Sequence, residues 1–332
     1  MNRATKISYV LMAVLLLMIG LLHMSTLLLT GLFSYFALER LSFGRWKRTS
    51  AILFLVLLSA LAYGAFYFAK KAIVARPNIA ETTVPAVIGL AEKYDVDMPF
   101  TDYESLKKLA MDSLSDRWTR FGAYAKTMAT QAASFLIGVV VALSLFLSTK
   151  VNLGESDDAV KDNLYATTGS ELLSRCRTFY ASFVTVMGAQ LIISIINTAL
   201  TAAFLAIAGF PHVAVIVVLT FMCGLLPVIG NLISNTLITC VGLSVEPRLA
   251  VIALVFLISI HKLEYFLNSK IVGHRIKNPM WLTLLGLLLG EKLMGLPGMI
   301  LAPVILHYVK VEASRRTVAG QESPPPITPA TP

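Results

Sequence analysis

The stretch from Gly209 to Val309 constrains this chain most, because it holds two apolar segments that are each broken in the middle. The first runs over 213–241 and breaks at Leu226-Pro227-Val228-Ile229-Gly230-Asn231. The second runs over 281–309 and breaks across Gly290-Glu291-Lys292-Leu293-Met294-Gly295-Leu296-Pro297-Gly298. A straight helix crosses the ~30 Å hydrocarbon core of a bilayer with about 20 apolar residues. Each broken segment is too long for one pass and too short for two comfortable ones. The break frees backbone N–H and C=O groups that lipid cannot satisfy, so it must rest against protein or water. Paired interrupted segments in a multispanning chain point to the substrate site of a transporter.

The remainder reads as a membrane scaffold. The chain has 332 residues, 56% of them hydrophobic and only 14% charged. A soluble domain of this length has no way to bury so much apolar surface. The expected fold class is an all-α polytopic membrane protein with about eight membrane segments, two of them the interrupted hairpins. A net charge of +9 would favour nucleic acid in a soluble protein. Here the basic residues cluster at helix ends as anchors, so the bilayer is the expected partner and nucleic acid is not. Cys176, Cys223 and Cys240 lie in or beside apolar segments without metal spacing, and read as buried thiols. The five histidines are scattered, so neither a metal nor another cofactor is expected. The phosphate-binding loop of ATPases, His-Glu-x-x-His and Gly-x-Ser-x-Gly are all missing from the sequence, and no enzymatic activity is expected.

Four regions follow along the chain. Residues 1–69 hold an N-terminal helical hairpin and a third span. The apolar block 8–38 would be about 46 Å long as one helix, so two shorter helices folded near His23 fit better. His23 then marks the turn; an intramembrane proton relay is the sharper alternative. Arg3 and Lys6 ahead of this block resemble a signal peptide, but no small-x-small cleavage pattern follows, and the block reads as retained. Residues 70–130 form an extracytoplasmic helical region with a capping-box pattern from Thr101 to Glu104. Residues 131–311 are the transport core, and 312–332 a Pro-rich cytoplasmic tail expected to be disordered. If each hairpin makes no net crossing, the basic groups around Lys6, Arg45, Arg175, Arg275 and Arg315 fall on one side. That places both termini in the cytoplasm.

Several polar residues are candidates for solute or ion binding. His261, Glu264 or Tyr265, and Asn268 recur at helical spacing and share one face. A carboxylate near the membrane is costly unless paired or wet, so Glu264 is either functional or the water-facing end of its helix. Glu291 and Lys292 sit at the second break, as a solvated turn or as the tip of a re-entrant hairpin. Asn231 and Asn235, one turn apart after the first break, either meet a polar solute or pack helices. Gln190 and Asn197, at i and i+7, read as interhelical hydrogen-bonding groups.

Taken in order, these pieces resemble the autoinducer-2 exporter family of bacterial membrane proteins. The likeness rests on Gly209-Phe210-Pro211, on Gly224 to Gly230, on Glu264 to Gly273 with Asn278-Pro279, and on Gly290 to Pro303. It implies an inner-membrane permease in which two hairpins form the substrate region, moving elevator-fashion within a homo-oligomer, by resemblance a pentamer. Its members export a small signalling furanone, and some similar proteins are credited with sodium/proton antiport. On this reading Pro227, Gly230, Asn231, Gly290, Gly295, Gly298 and Pro303 shape the hairpins. Glu264 and Asn268 line their interface, with Asn235 and Glu291 close by. The expected function is export of a small polar solute. The rivals are a sodium or proton antiporter using Glu264, and a non-transporting scaffold whose 70–130 region binds a partner.

Overall fold

The computed structural model describes residues 3–42, 46–67, 121–148, 163–226, 229–267 and 279–315, with a few single positions between 68 and 120. The Thr101–Glu104 cap, Pro227, Asn268 and the Pro-rich tail lie outside the described residues. Every regular element among the described residues is a helix: α1 (Arg3–Leu21), α2 (Ser25–Arg40), α3 (Lys47–Tyr67), α4 (Phe121–Leu147), α5 (Leu164–Ile207), α6 (Val213–Gly224), α7 (Ile229–Val245), α8 (Pro247–Leu267) and α9 (Met280–Ser314). Five helices are long and apolar enough to cross a membrane, with spans in α1, α3, α4, α5 and α9; α6 and α7 are shorter apolar helices. Outward faces carry Val10, Leu17, Val56, Leu61, Leu136 and Val140 exposed, a surface suited to lipid rather than water.

The spine of the fold is α5. It opens on Asn163, whose side chain accepts from the Ala166 N–H at 2.7 Å and so satisfies one of the unpaired donors of the first turn. Its 44 residues give about 66 Å, and its two halves carry different partners. On the N-terminal half, Met12 of α1, Phe179, Phe183 and Met187 of α5, and Val304 and Tyr308 of α9 form one buried core. Phe33 of α2 meets Phe183 edge-on, with ring centroids 5.0 Å apart. The chain folds back between α1 and α2 at residues 22–24, where His23 takes φ 53° and its N–H bonds to Gly20 O at 3.1 Å. Farther out, α3 and α4 pack on α2 through Phe54, Leu38, Ala142 and Phe146.

The C-terminal half of α5 carries α6, α7 and α8. Its end is a glycine-closed turn: Gly209 has φ 72° and the Phe210 N–H reaches Leu205 O at 3.0 Å. Only a residue tolerant of left-handed backbone closes a helix this way, with an apolar residue following to pack beneath it. Phe210 does so, buried with Leu205, Ile216, Ile238 and Leu257, while Phe204 stacks on Phe256 at 4.0 Å.

Near the start of α5 lies a buried ionic cluster. Arg175, 3% exposed, donates from Nε to Ser8 Oγ at 2.8 Å, from Nη1 to Glu312 Oε2 at 3.0 Å and from Nη2 to Glu171 Oε2 at 2.7 Å. Its guanidinium lies over the Tyr9 ring, 3.7 Å from the centroid. Tyr9 in turn donates to Glu312 Oε2 at 2.8 Å. One side chain thereby ties α1, α5 and the end of α9 together. The sequence places Arg175 among the interfacial anchors; it is instead enclosed by protein, with Ser8 and Tyr9 of α1 and Glu312 of α9 taking the place of water and headgroups. Removing the cation while Glu312 stays buried should cost about 3–5 kcal/mol. Arg175→Met is therefore expected to unfold at clearly lower temperature or denaturant in detergent, and Arg175→Met/Glu312→Gln to recover part of the loss. Equal losses in the single and double variants would show that charge pairing is not what holds these helices.

Candidate functional site

The second interrupted segment is α9, and it is a hairpin. Gly295 has φ 62° and ψ −147° inside an otherwise helical run, a combination that residues with a Cβ rarely tolerate. The chain reverses there, and the arms 280–294 and 296–314 run back to back. The Gly290 and Gly298 backbones lie against one another, so that a Cβ on either would overlap the other's carbonyl. Further down, a Cβ at Gly286 would sit 2.9 Å from Leu306 and one at Gly290 would sit 3.2 Å from Ala302. Pro297 opens the second arm, where a missing N–H removes no helical bond. Pro303 lies half-buried within that arm.

The first interrupted segment forms a second, tighter hairpin from α6 and α7. A Cβ on Gly230 would overlap the Cys223 carbonyl, so the glycine is what lets α7 start so close to the end of α6. The freed carbonyls at the end of α6 are claimed by α5. Gln190 Nε2 donates to Gly224 O at 2.6 Å, and Ser194 Oγ donates to Phe221 O at 3.2 Å. The glycine at 224 leaves room for this bond, since a Cβ there would meet Ser194 Oγ at 2.5 Å and displace it. Asn197, one turn on from Ser194, is buried on α5.

The two hairpins reach the same depth from opposite ends of α5. The first turns beside Gln190 and Ser194, after leaving α5 at its C-terminal end. The second starts and finishes at the Arg175 end, where Glu312 pairs with Arg175, and turns at Met294. The Met294 side chain packs on Gly20 and its carbonyl accepts from Ser25 Oγ at 3.5 Å, while Ile300, just past the turn, packs against the core that includes Met187 and Val304. Both turns therefore fall near the middle of α5.

The clearest polar contact of the site joins Asn231 and Glu264. Asn231, two residues into α7, donates from Nδ2 to Glu264 Oε2 on α8. His261 Nδ1 lies 3.8 Å from the same oxygen. The Glu264 side chain is 13% exposed and that of His261 58%, so the carboxylate is enclosed while its imidazole neighbour faces outward. Asn235 is half-buried one turn along α7, and Glu291 and Lys292 are exposed just before the bend of α9. The structure thus brings Asn231 to Glu264 and Gly290 to Gly298. It carries the two groups on different helices, joined through α5. Sequence reasoning missed the bracing role of Ser194 and the Arg175 cluster; the signals were Glu171 and Arg175 at i, i+4 and a lone Glu312 in a basic helix end.

A family model described as AI-2E family transporter matches residues 7–314. YdbI of Bacillus subtilis (strain 168), named as a candidate transport protein, is 30% identical over 188 residues, covering 55% of this chain and 54% of that protein. The chain thus spans about half the length of this curated relative. No solved structure matches. Gly295→Ala should cost about 1–3 kcal/mol through backbone strain alone, and Gly298→Ala more than an exposed helical Gly→Ala, because the arms must separate. Gly64→Ala, with nothing within 4 Å of the added Cβ, should be neutral or slightly stabilising. Unfolding curves in detergent would test this order, and equal behaviour of the three variants would contradict it.

Proposed function

Since the chain belongs to the AI-2E family of transporters, we propose that it exports a small polar organic solute, such as an autoinducer-2-like furanone, without ATP hydrolysis. The observation that carries this reading is the pair of hairpins turning near the middle of α5 from opposite ends. Each turn starts a new helix there, α7 after the first and the second arm of α9 after the other. Helix N-termini present backbone N–H groups and a partial positive charge, which suit the hydroxyl and carbonyl oxygens of a furanone. Placing such ends at mid-depth is how transporters bind polar groups where lipid offers no partner. Asn231, Asn235 and Glu264 add side-chain groups on the same side as the first turn.

The bacterial cytoplasmic membrane is the proposed location. Lys6, Arg40, Lys47, Arg177, Lys310 and Arg315 lie toward the Arg175 end of the bundle, and that excess of basic residues marks the cytoplasmic side. Both termini then face the cytoplasm. Homo-oligomeric assembly, pentameric by family resemblance, would leave α5 as the support against which the hairpins shift within each protomer. A second reading is antiport of sodium or protons at Glu264, favoured by the enclosure of this carboxylate at the first turn beside Asn231.

Flux of labelled furanone into inverted vesicles, with and without an imposed pH or sodium gradient, separates the two. Uptake that is lost in Gly298→Leu, whose side chain cannot fit between the arms, is the expected result; normal uptake in that variant would remove the proposed mechanism. Dissipation of the gradient without furanone movement, abolished by Glu264→Gln, would establish antiport instead.

A further inference from the structure

We propose that the groove between α2, α4 and α5 is a seat for one anionic phospholipid. The groove has a volume of about 700 Å³ and is partly open. Its floor forms where two glycines bring backbones together: a Cβ on Gly138 would lie 2.8 Å from Leu27 O, and one on Gly31 would lie 3.7 Å from Gly138 O. Its walls are apolar, with Leu28 and Leu32 on α2 facing Val141 and Leu145 on α4. From Gly138 to Ser148 the wall runs along α4 for about 15 Å, parallel to the helices, as an acyl chain runs in a bilayer.

Among the described residues, the charged lining of the groove lies at one end. Lys47, the first residue of α3, and Arg177 of α5 line it there, with Tyr180 between the helices. Lys47 Nζ is held by Ser148 O at 3.3 Å and by the Phe146 ring at 5.9 Å. That fixes the ammonium at the mouth and leaves further N–H donors for a phosphate. Arg177 is exposed. Glu39, a carboxylate near this end, already accepts from Tyr180 at 2.5 Å. Basic pockets between spanning helices on the cytoplasmic side bind the headgroups of anionic lipids. The combination of an apolar slot with a cationic mouth matches that chemistry, the phosphate at Lys47 and Arg177 and an acyl chain along Val141. A small polar solute finds few partners along such walls, whereas an acyl chain fills them.

The test uses the full-length protein purified in detergent, with native mass spectrometry and thermal unfolding as readouts. Phosphatidylglycerol and phosphatidylethanolamine with the same acyl chains are the probes. Phosphatidylglycerol should be retained and raise the melting temperature more than phosphatidylethanolamine does. The charge-neutral pair Lys47→Gln/Arg177→Gln should weaken its retention about tenfold or more and erase the preference. Val141→Trp, which fills the slot, should lower retention of both lipids. Lys47→Arg/Arg177→Lys should keep the preference, and this variant decides the matter if the glutamine pair fails to fold. Equal retention of phosphatidylglycerol by wild type and the neutral pair would overturn the assignment. So would the same stabilisation by soluble glycerol phosphate, which would mark a headgroup site without a chain. A change of oligomeric state in Val141→Trp with lipid retention unchanged would make the groove a subunit seam and overturn it as well.

Discussion

A helix broken inside a membrane frees polar backbone groups that only protein or trapped water can satisfy, and in this protein α5 meets that need. Gln190 and Ser194 reach sideways to the last carbonyls of α6, so the first hairpin can turn in the middle of the bundle. The second hairpin is satisfied differently. Its turn leans on the junction of α1 and α2, where Ser25 donates to Met294 O, and its returning arm lies along the other half of α5. A single long helix thus supports both hairpins, the first break through its polar residues and the returning arm of the second through its apolar face.

Close approach is the second requirement, and glycine provides it at few positions. Gly290 against Gly298 and Gly230 against Cys223 are backbone-to-backbone contacts that a methyl group would prevent. Within lipid, helices gain little from hiding apolar side chains from one another, and backbone proximity with dense packing takes over. The arms of α9 follow this rule, with Gly286 facing Leu306 and Ala302, and Gly290 facing Gly298 and Ala302. Gly295 differs in kind: nothing lies within 4 Å of where its Cβ would be, and its role is its dihedral angles alone.

Much of this was legible in the sequence because it is local. The interruptions at 226–231 and 290–298 announce themselves by Gly and Pro within apolar runs, and the helix stop at Gly209 by glycine followed by an apolar residue. The fold-back at His23 follows from a block too long for one span. What could not be read is pairing across helices. Arg175 and Glu312 are 137 residues apart, and by composition each resembles an ordinary charge at a helix end. Asn231 and Glu264, 33 apart, were both visible as candidates, but no period or spacing tells that α7 and α8 place them together. Periodicity reports which face of a helix is buried; it carries no information on which helix covers it.

The supports of the two hairpins differ in strength. Near its turn, the first hairpin is held to α5 by two hydrogen bonds between neutral groups, each worth about 0.5–1.5 kcal/mol net. The returning arm of the second is fastened through Glu312 to Arg175, and Arg315 Nη1 adds a bond to Thr178 Oγ1 at 3.1 Å. Hydrogen bonds to charged groups contribute about 1.5–3 kcal/mol each, and breaking the buried pair would strand a carboxylate in the interior. Any shift of one hairpin relative to α5 therefore meets less resistance at the turn of the first than at the root of the second. Glu264 stands near the turn of the first hairpin, bonded to Asn231. A proton or cation that altered the Asn231–Glu264 contact would act on the packing of α7 against α8, whereas the Arg175 cluster ties α1, α5 and α9 together through Ser8, Glu171 and Glu312.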